Sequence, residues 1–239
     1  MQNARHVVVV MNGTARWAVE QQRPLAEAQR ESLAVARTIA RAAASAHVRY
    51  LTFCGEHAEL PTYPMIPIRP LGRSPEVPLH PSATVNQDRQ AWTARDLWSG
   101  GDELVVTLRL GQSGRRDIVT AIAKLAKAVQ AGLMDPDQLD ESLLRSSLPT
   151  VDLPDPDLIL YTGCRAGEHR LGDDLIFESA YAEFFFSDRL WPAFSANDFA
   201  SSLGDFASRQ RRYGKTAEQI TSGESNAARY LVASSSIGS

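Results

Sequence analysis

The run His6–Met11 (HVVVVM) is β-branched and uninterrupted, the pattern of a strand covered on both faces of a parallel sheet. Asn12-Gly13-Thr14 ends it. Pro24 suits the first turn of a helix. Leu33, Ala36, Ile39, Ala40 and Ala43 then recur at helical spacing and predict a helix over 25–46. A second strand is expected over 48–53. Strand, helix and strand joined by short polar turns make the βαβ unit of a parallel α/β fold.

The pattern then breaks. Over 61–81 prolines crowd together, with Pro64, Pro67 and Pro70 at every third residue, which predicts an extended loop. Regular structure returns as a strand over 104–110 and a Gly-rich turn through Gly114. A helix over 115–130 follows, with Ile118, Ile122, Leu125 and Val129 on one side. A shorter helix is expected over 137–145. Leu153-Pro-Asp-Pro-Asp157 leads rigidly into a strand over 158–161. Ser195-Ala-Asn-Asp198 has the Ser-x-x-acid form of a helix start, and that helix is expected to reach Tyr213. The reading is one α/β domain over 1–232, a central parallel sheet flanked by helices, and a Ser-rich tail over 233–239.

Composition narrows the class. The 239 residues are 44% apolar and 22% charged, which is ordinary for a globular chain. Twenty-five Lys and Arg against 28 Asp and Glu give a net charge of -3, so nucleic acid is not an expected partner. Two cysteines, Cys54 and Cys164, supply neither a disulfide framework nor a four-ligand zinc site. No apolar run reaches the ~20 residues of a membrane helix, and the N-terminal run is too short for a signal peptide. A cytoplasmic setting is expected.

A strand that ends in a small-residue turn before a helix presents backbone N–H groups to an anion. Gly13 allows close approach, and Arg16 can pair with a diphosphate in bidentate fashion. Physics alone favours the plainer reading, a strand-ending turn and a solvated helix start. The segment from His6 to Ala18 nevertheless resembles the strand and phosphate loop of the cis-prenyltransferases, the undecaprenyl diphosphate synthase family. Gly114-Arg115 with Asp117-Ile118-Val119 is similar to a second family segment. A third spans Leu153 to Pro192, with Arg170-Leu171, Ser179-Ala-Tyr-Ala-Glu183 and Leu190-Trp191-Pro192, and ends in Arg209 to Gly214.

The resemblance implies a magnesium-dependent (Mg2+) dimeric transferase that joins isopentenyl diphosphate to an allylic diphosphate. It also exposes departures. Asn12 stands where the family has a magnesium-handling Asp, and an amide neither neutralises a divalent cation nor accepts a proton. Ala15 replaces a Gly, Leu25 an Arg and Gln29 a His; Arg30 and Glu59 remain. The stretch that encloses a long polyprenyl product in the family is markedly short here. On the isopentenyl side Arg170 and the magnesium carboxylate Glu183 match, whereas Tyr161 replaces an Arg and Gly172 a Ser. Arg165 is a positional candidate for the lost cation.

The candidate site is therefore Asn12 and Glu59 as catalytic positions, with Gly13, Arg16, Arg30 and Arg170 for diphosphate. Glu183 is the candidate magnesium ligand. Asp173 and Asp174, with Glu178, resemble an Asp-rich metal box, although here the segment is expected to run from a turn into a strand. Neighbouring His57 and Glu59 form a further acid–base candidate. Two functions follow: an inactive or weakly active subunit that pairs with an active prenyltransferase, or a noncanonical enzyme acting on short isoprenoid diphosphates (C5–C15) by condensation, cyclisation or transfer to another acceptor. The partners expected are isoprenoid diphosphates and a second subunit, as homodimer or heteromer, with residues 181–191 the candidate dimer face.

Overall fold

The computed structural model describes residues 3–55, 92–98, 104–167 and 169–209, with 92–98 described by backbone alone. The proline-rich stretch 61–81, His57, Glu59 and the tail lie outside them. One compact unit runs from Met1 to Ala207, and a second unit starts at Ser208.

Six strands form one sheet in the order β3-β4-β2-β1-β5-β6. They are β1 (His6–Met11), β2 (Tyr50–Gly55), β3 (Trp92–Trp98), β4 (Leu104–Leu110), β5 (Leu158–Tyr161) and β6 (Glu183–Phe186). Five run parallel, and β3 is an antiparallel edge on β4. The helices are α1 (Thr14–Glu20), α2 (Leu25–Ser45), α3 (Gly114–Gln130), α4 (Glu141–Ser147) and α5 (Ala196–Ser208).

Period-two alternation sorts the strand side chains into two cores. Val7, Val9, Leu51, Phe53, Leu158 and Leu160 pack with Ile39, Ala40 and Ala43 of α2 and with Trp191, Phe194, Phe199 and Phe206. Val8, Val10, Cys54, Ile159, Tyr161 and Leu175 pack on the opposite face. That second face is not wholly apolar. Arg109 of β4 is 2% exposed and bonds the Asp117 carboxylate of α3 at 2.5 Å. Burial holds the Asp117 carboxyl above its usual range, against the pull of the Arg109 charge.

Strands β1, β4 and β5 match the hydrophobic pattern, while β2 begins two residues later than expected. The cause is a helix stop. His47 takes a left-handed φ of 57°, the Val48 N–H donates to the Ala43 carbonyl and the His47 N–H to the Ala44 carbonyl. These are the bonds of a Schellman motif, so Val48 belongs to the end of α2. The expected helix over 137–145 is instead a 3-10 turn, Pro136–Gln138, and the separate helix α4, each with its own Asp cap. On α3 the buried stripe is Gly114, Asp117 and Ala121, and Ile122 is exposed. Of the expected stripe only Ile122 is exposed; Ile118, Leu125 and Val129 are half-buried, and Asp117 takes an inward position through its pairing with Arg109. Residues 173–178 do not enter a strand: they form turns and the start of a 3-10 segment, Glu178–Tyr181.

At the opening end of β1, His6 is 1% exposed, with Nδ1 on the Pro154 carbonyl and Nε2 on the Thr52 hydroxyl. Burial lowers its pKa from 6.5 to about 4. The unfolded chain therefore binds the extra proton, and stability rises with pH between those values. Unfolding free energy is expected to fall by about 3 kcal/mol from pH 6.5 to pH 4 through this group. Denaturant titrations of wild type and His6→Asn across that range check it. A wild-type slope no steeper than the variant's refutes the assignment.

Candidate functional site at the closing ends of β1 and β5

The site is built where β1 and β5 end side by side. Gly13 adopts φ 98°, ψ 12°, at the start of α1. A Cβ on Gly13 would lie 2.6 Å from Leu190 Cδ2, so only glycine fits both the dihedral and the space. The Asn12 N–H donates to the Thr162 hydroxyl at 2.9 Å, and that hydroxyl donates to the Val10 carbonyl at 3.0 Å. The Asn12 carbonyl accepts the Trp191 N–H at 2.9 Å. The turn after β1 is thus held by the turn after β5 and by the Leu190-Trp191 segment.

Gly163, at φ 64°, brings the two turns into direct contact. A Cβ there would meet the Asn12 carbonyl oxygen at 2.7 Å and Arg16 Nη2 at 2.8 Å. Arg16 donates from Nη2 to the Gly163 carbonyl. One of its five donors is occupied in this way, and the guanidinium is held beside the Gly13 turn with the others to offer.

Behind the turn, Trp191 is fully buried, and its indole N–H donates to the Ser32 carbonyl of α2 at 3.2 Å. Residues 181–191 are therefore not one exposed face. Tyr181 is 81% exposed, whereas Trp191 is core. Arg30 is exposed on α2, and its neighbour Gln29 is buried with Nε2 lacking a hydrogen-bond partner.

The second set of candidates is spread out. Tyr161 stacks on Phe186 with ring centroids 5.4 Å apart, and His169 stacks on Phe186 at 4.6 Å. Burial pushes the Tyr161 phenol up to about 12, against the Gly172 N–H that bonds its oxygen. A neutral phenol in an aromatic stack does not replace a cation. Arg170 and Arg165 are exposed on the segment between β5 and Asp173. Glu183 opens β6 opposite Leu158, at the other end of the sheet from Asn12. At ~3.3 Å per residue, that is on the order of 10 Å or more along the strands. Asp173 bonds the Ser113 hydroxyl and the Arg115 N–H at the start of α3.

These placements decide how well the donors suit a magnesium ion. Asn12 is an amide, Glu183 is remote from it and Asp173 is engaged at α3. Among the described residues no three His, Cys, Asp or Glu side chains gather as a metal site. The described donors do not fit a protein-built magnesium centre. Thr162 and Gly163, which hold the turn, escape a reading based on charged residues; their one signal is the polar, small pair directly after the buried strand β5. Leu190 lies in the Leu190-Trp191-Pro192 segment that resembles the family.

A family model described as putative undecaprenyl diphosphate synthase matches residues 65–214. The chain belongs to the undecaprenyl diphosphate synthase family. A (2E,6E)-farnesyl-diphosphate-specific ditrans,polycis-undecaprenyl-diphosphate synthase of Pseudomonas syringae pv. tomato is 33% identical over 244 residues, covering 92% of this chain and 94% of its own. An isoprenyl transferase of Porphyromonas gingivalis is 31% identical, covering 90% and 91%. Lavandulyl diphosphate synthase from Lavandula x intermedia, solved with dimethylallyl diphosphate, superposes with a TM-score of 0.64 at 19% identity. It covers 89% of this chain and 99% of its own, a likeness of fold. The chain is α/β with a central, mainly parallel sheet, a fold it shares with the lavender enzyme. No helix among the described residues is long and apolar enough to cross a membrane.

Proposed function

We propose that this member of the undecaprenyl diphosphate synthase family binds a short isoprenoid diphosphate at the Asn12-Gly13 turn and transfers its prenyl group to an acceptor. The observation that carries the reading is the turn itself: a left-handed Gly13 opening α1, with the Arg16 guanidinium fixed beside it by the Gly163 carbonyl. The names of the relatives support it, since one acts on farnesyl diphosphate and the lavender enzyme was solved with dimethylallyl diphosphate.

In the reaction the allylic C–O bond breaks and its electron pair leaves with the diphosphate. Arg16 and the backbone N–H groups at the turn stabilise the growing negative charge. With isopentenyl diphosphate as acceptor, its π electrons form the new C–C bond, and a proton leaves the adjacent carbon. Arg170 anchors that second diphosphate. The shortened stretch after β2 favours a C10–C15 product over a long polyprenyl chain.

Asn12 favours a second reading, in which the chain is a partner subunit of an active prenyltransferase. Its docking surface then includes β6, the last strand of the sheet among the described residues, with the exposed Leu171 and Tyr181.

One assay separates the two. The purified chain is incubated with labelled isopentenyl diphosphate, magnesium and C5, C10 or C15 allylic diphosphate, and products are weighed by mass spectrometry. A C10 or C15 product, from the C5 or C10 allylic diphosphate, is expected. Asn12→Asp restores the family's carboxylate; a rise in its turnover that depends on added magnesium would show that this one position limits the site, since a bare carboxylate repels the departing diphosphate. No product from either folded protein refutes the stand-alone enzyme and leaves the subunit.

A further inference from the structure

Asp173 and its neighbours are fastened to other elements at unusual density. The Gly114 N–H of α3 donates to the Asp173 carbonyl at 2.6 Å, and the Arg115 N–H donates to its carboxylate at 3.1 Å. The Ser113 hydroxyl donates to the same carboxylate, and Arg115 Nε lies 3.9 Å away. A carboxylate from 60 residues along the chain thus sits at the positive end of a 17-residue helix. Gly114 makes the approach possible, because a Cβ there would stand 2.7 Å from the Ile176 nitrogen and 3.2 Å from that of Leu175.

The fastening continues on both sides. The Gly172 N–H donates to the Tyr161 hydroxyl at 3.2 Å. Leu175 is 2% exposed at a left-handed φ of 49°, a conformation that persists only where the surroundings impose it. Glu178 is buried and accepts the Thr150 hydroxyl. Arg170 lies two residues before the first of these anchors. Its own side chain is exposed, so its position is set by the backbone that carries it.

We propose that Asp173 is a positioning residue, which fixes the Arg170 segment on the N-terminus of α3 and so pre-orders the arm that takes the second diphosphate. The inference rests on the proposed role of Arg170 in diphosphate binding. It removes Asp173 from the metal box that its sequence context resembles, since its carboxylate is already bonded to α3. The neutral Tyr161 takes part in the same fastening, because its hydroxyl accepts the Gly172 N–H and contributes no charge.

The test compares wild type, Asp173→Ala and Asp173→Asn as full chains. Isopentenyl diphosphate binding is measured by calorimetry, with dimethylallyl diphosphate as the comparison ligand, and hydrogen exchange is followed over residues 170–176. Asp173→Ala is expected to bind isopentenyl diphosphate about tenfold more weakly, because ordering of the segment must then be supplied at binding. Dimethylallyl diphosphate affinity stays the same and exchange over 170–176 rises. Asp173→Asn, whose amide oxygen still accepts the Arg115 N–H while its amide N–H donates to the Ser113 hydroxyl oxygen, stays within about threefold of wild type. Equal loss in both variants overturns the proposal in favour of a role for the charge itself. Unchanged exchange in Asp173→Ala overturns it whatever binds. Wild type that takes dimethylallyl but not isopentenyl diphosphate refutes the assignment of Arg170, and the function of Asp173 with it.

Discussion

Replacing Arg109 by methionine is expected to destabilise the fold by about 3–5 kcal/mol, the range for a buried ion pair stripped of one partner. Arg109 and Asp117 are 2% and 7% exposed. Removing the guanidinium leaves a carboxylate whose charged form burial already disfavours. The double variant Arg109→Met with Asp117→Leu is expected to recover most of the loss, because an apolar pair carries no desolvation cost. Urea unfolding at pH 7 measures both. A single-variant cost below about 1 kcal/mol would show that Asp117 is hydrated, and would sink the buried-pair account.

The second large effect is expected from Gly163→Ala. Its Cβ would press on the Asn12 carbonyl and on Arg16 Nη2 at a left-handed φ, so the variant strains its backbone and pushes Arg16 off the turn. The strain costs roughly 1–2 kcal/mol. Loss of one well-placed charged hydrogen bond to the ligand costs a further ~1.5–3 kcal/mol, which is about 10- to 100-fold in affinity. Calorimetry with dimethylallyl diphosphate reads the second quantity and thermal unfolding the first. Gly132→Ala is the control, since Gly132 has φ 68° but nothing within 4 Å of a new Cβ. If the control weakens the ligand as much as Gly163→Ala does, the contact with Arg16 is irrelevant.

The fold was largely legible because a parallel sheet writes its buried strands as unbroken β-branched or apolar runs. His6–Met11 and Leu158–Tyr161 follow from that rule alone, and Leu104–Leu110 follows it apart from Arg109. Strand β6 did not, since Glu183-Phe-Phe-Phe186 is four residues with no alternation and half-exposed side chains. Of the site, Gly13 and Arg16 were legible from turn chemistry and the family resemblance. Thr162 and Gly163 were not. Their importance comes from contact with Asn12 across two strands, which no local pattern encodes. The acids at Asp173 and Glu178 carried the opposite difficulty. Their local composition suggests a metal, and only the fold shows them bonded to Arg115, Ser113 and Thr150.

The interlock of the two turns dictates when the site can exist during synthesis. Asn12 is fastened to Thr162, 150 residues later, and Arg16 to Gly163, 147 residues later. The indole that backs the turn reaches Ser32 across 159 residues. On a ribosome the first strand and its glycine turn emerge well before their neighbours β5 and Trp191. Contacts of such separation form slowly and late. Nascent chains that stop before residue 191 are accordingly expected to lack a finished diphosphate site, and in those that stop before residue 158 β1 also keeps an unpaired side.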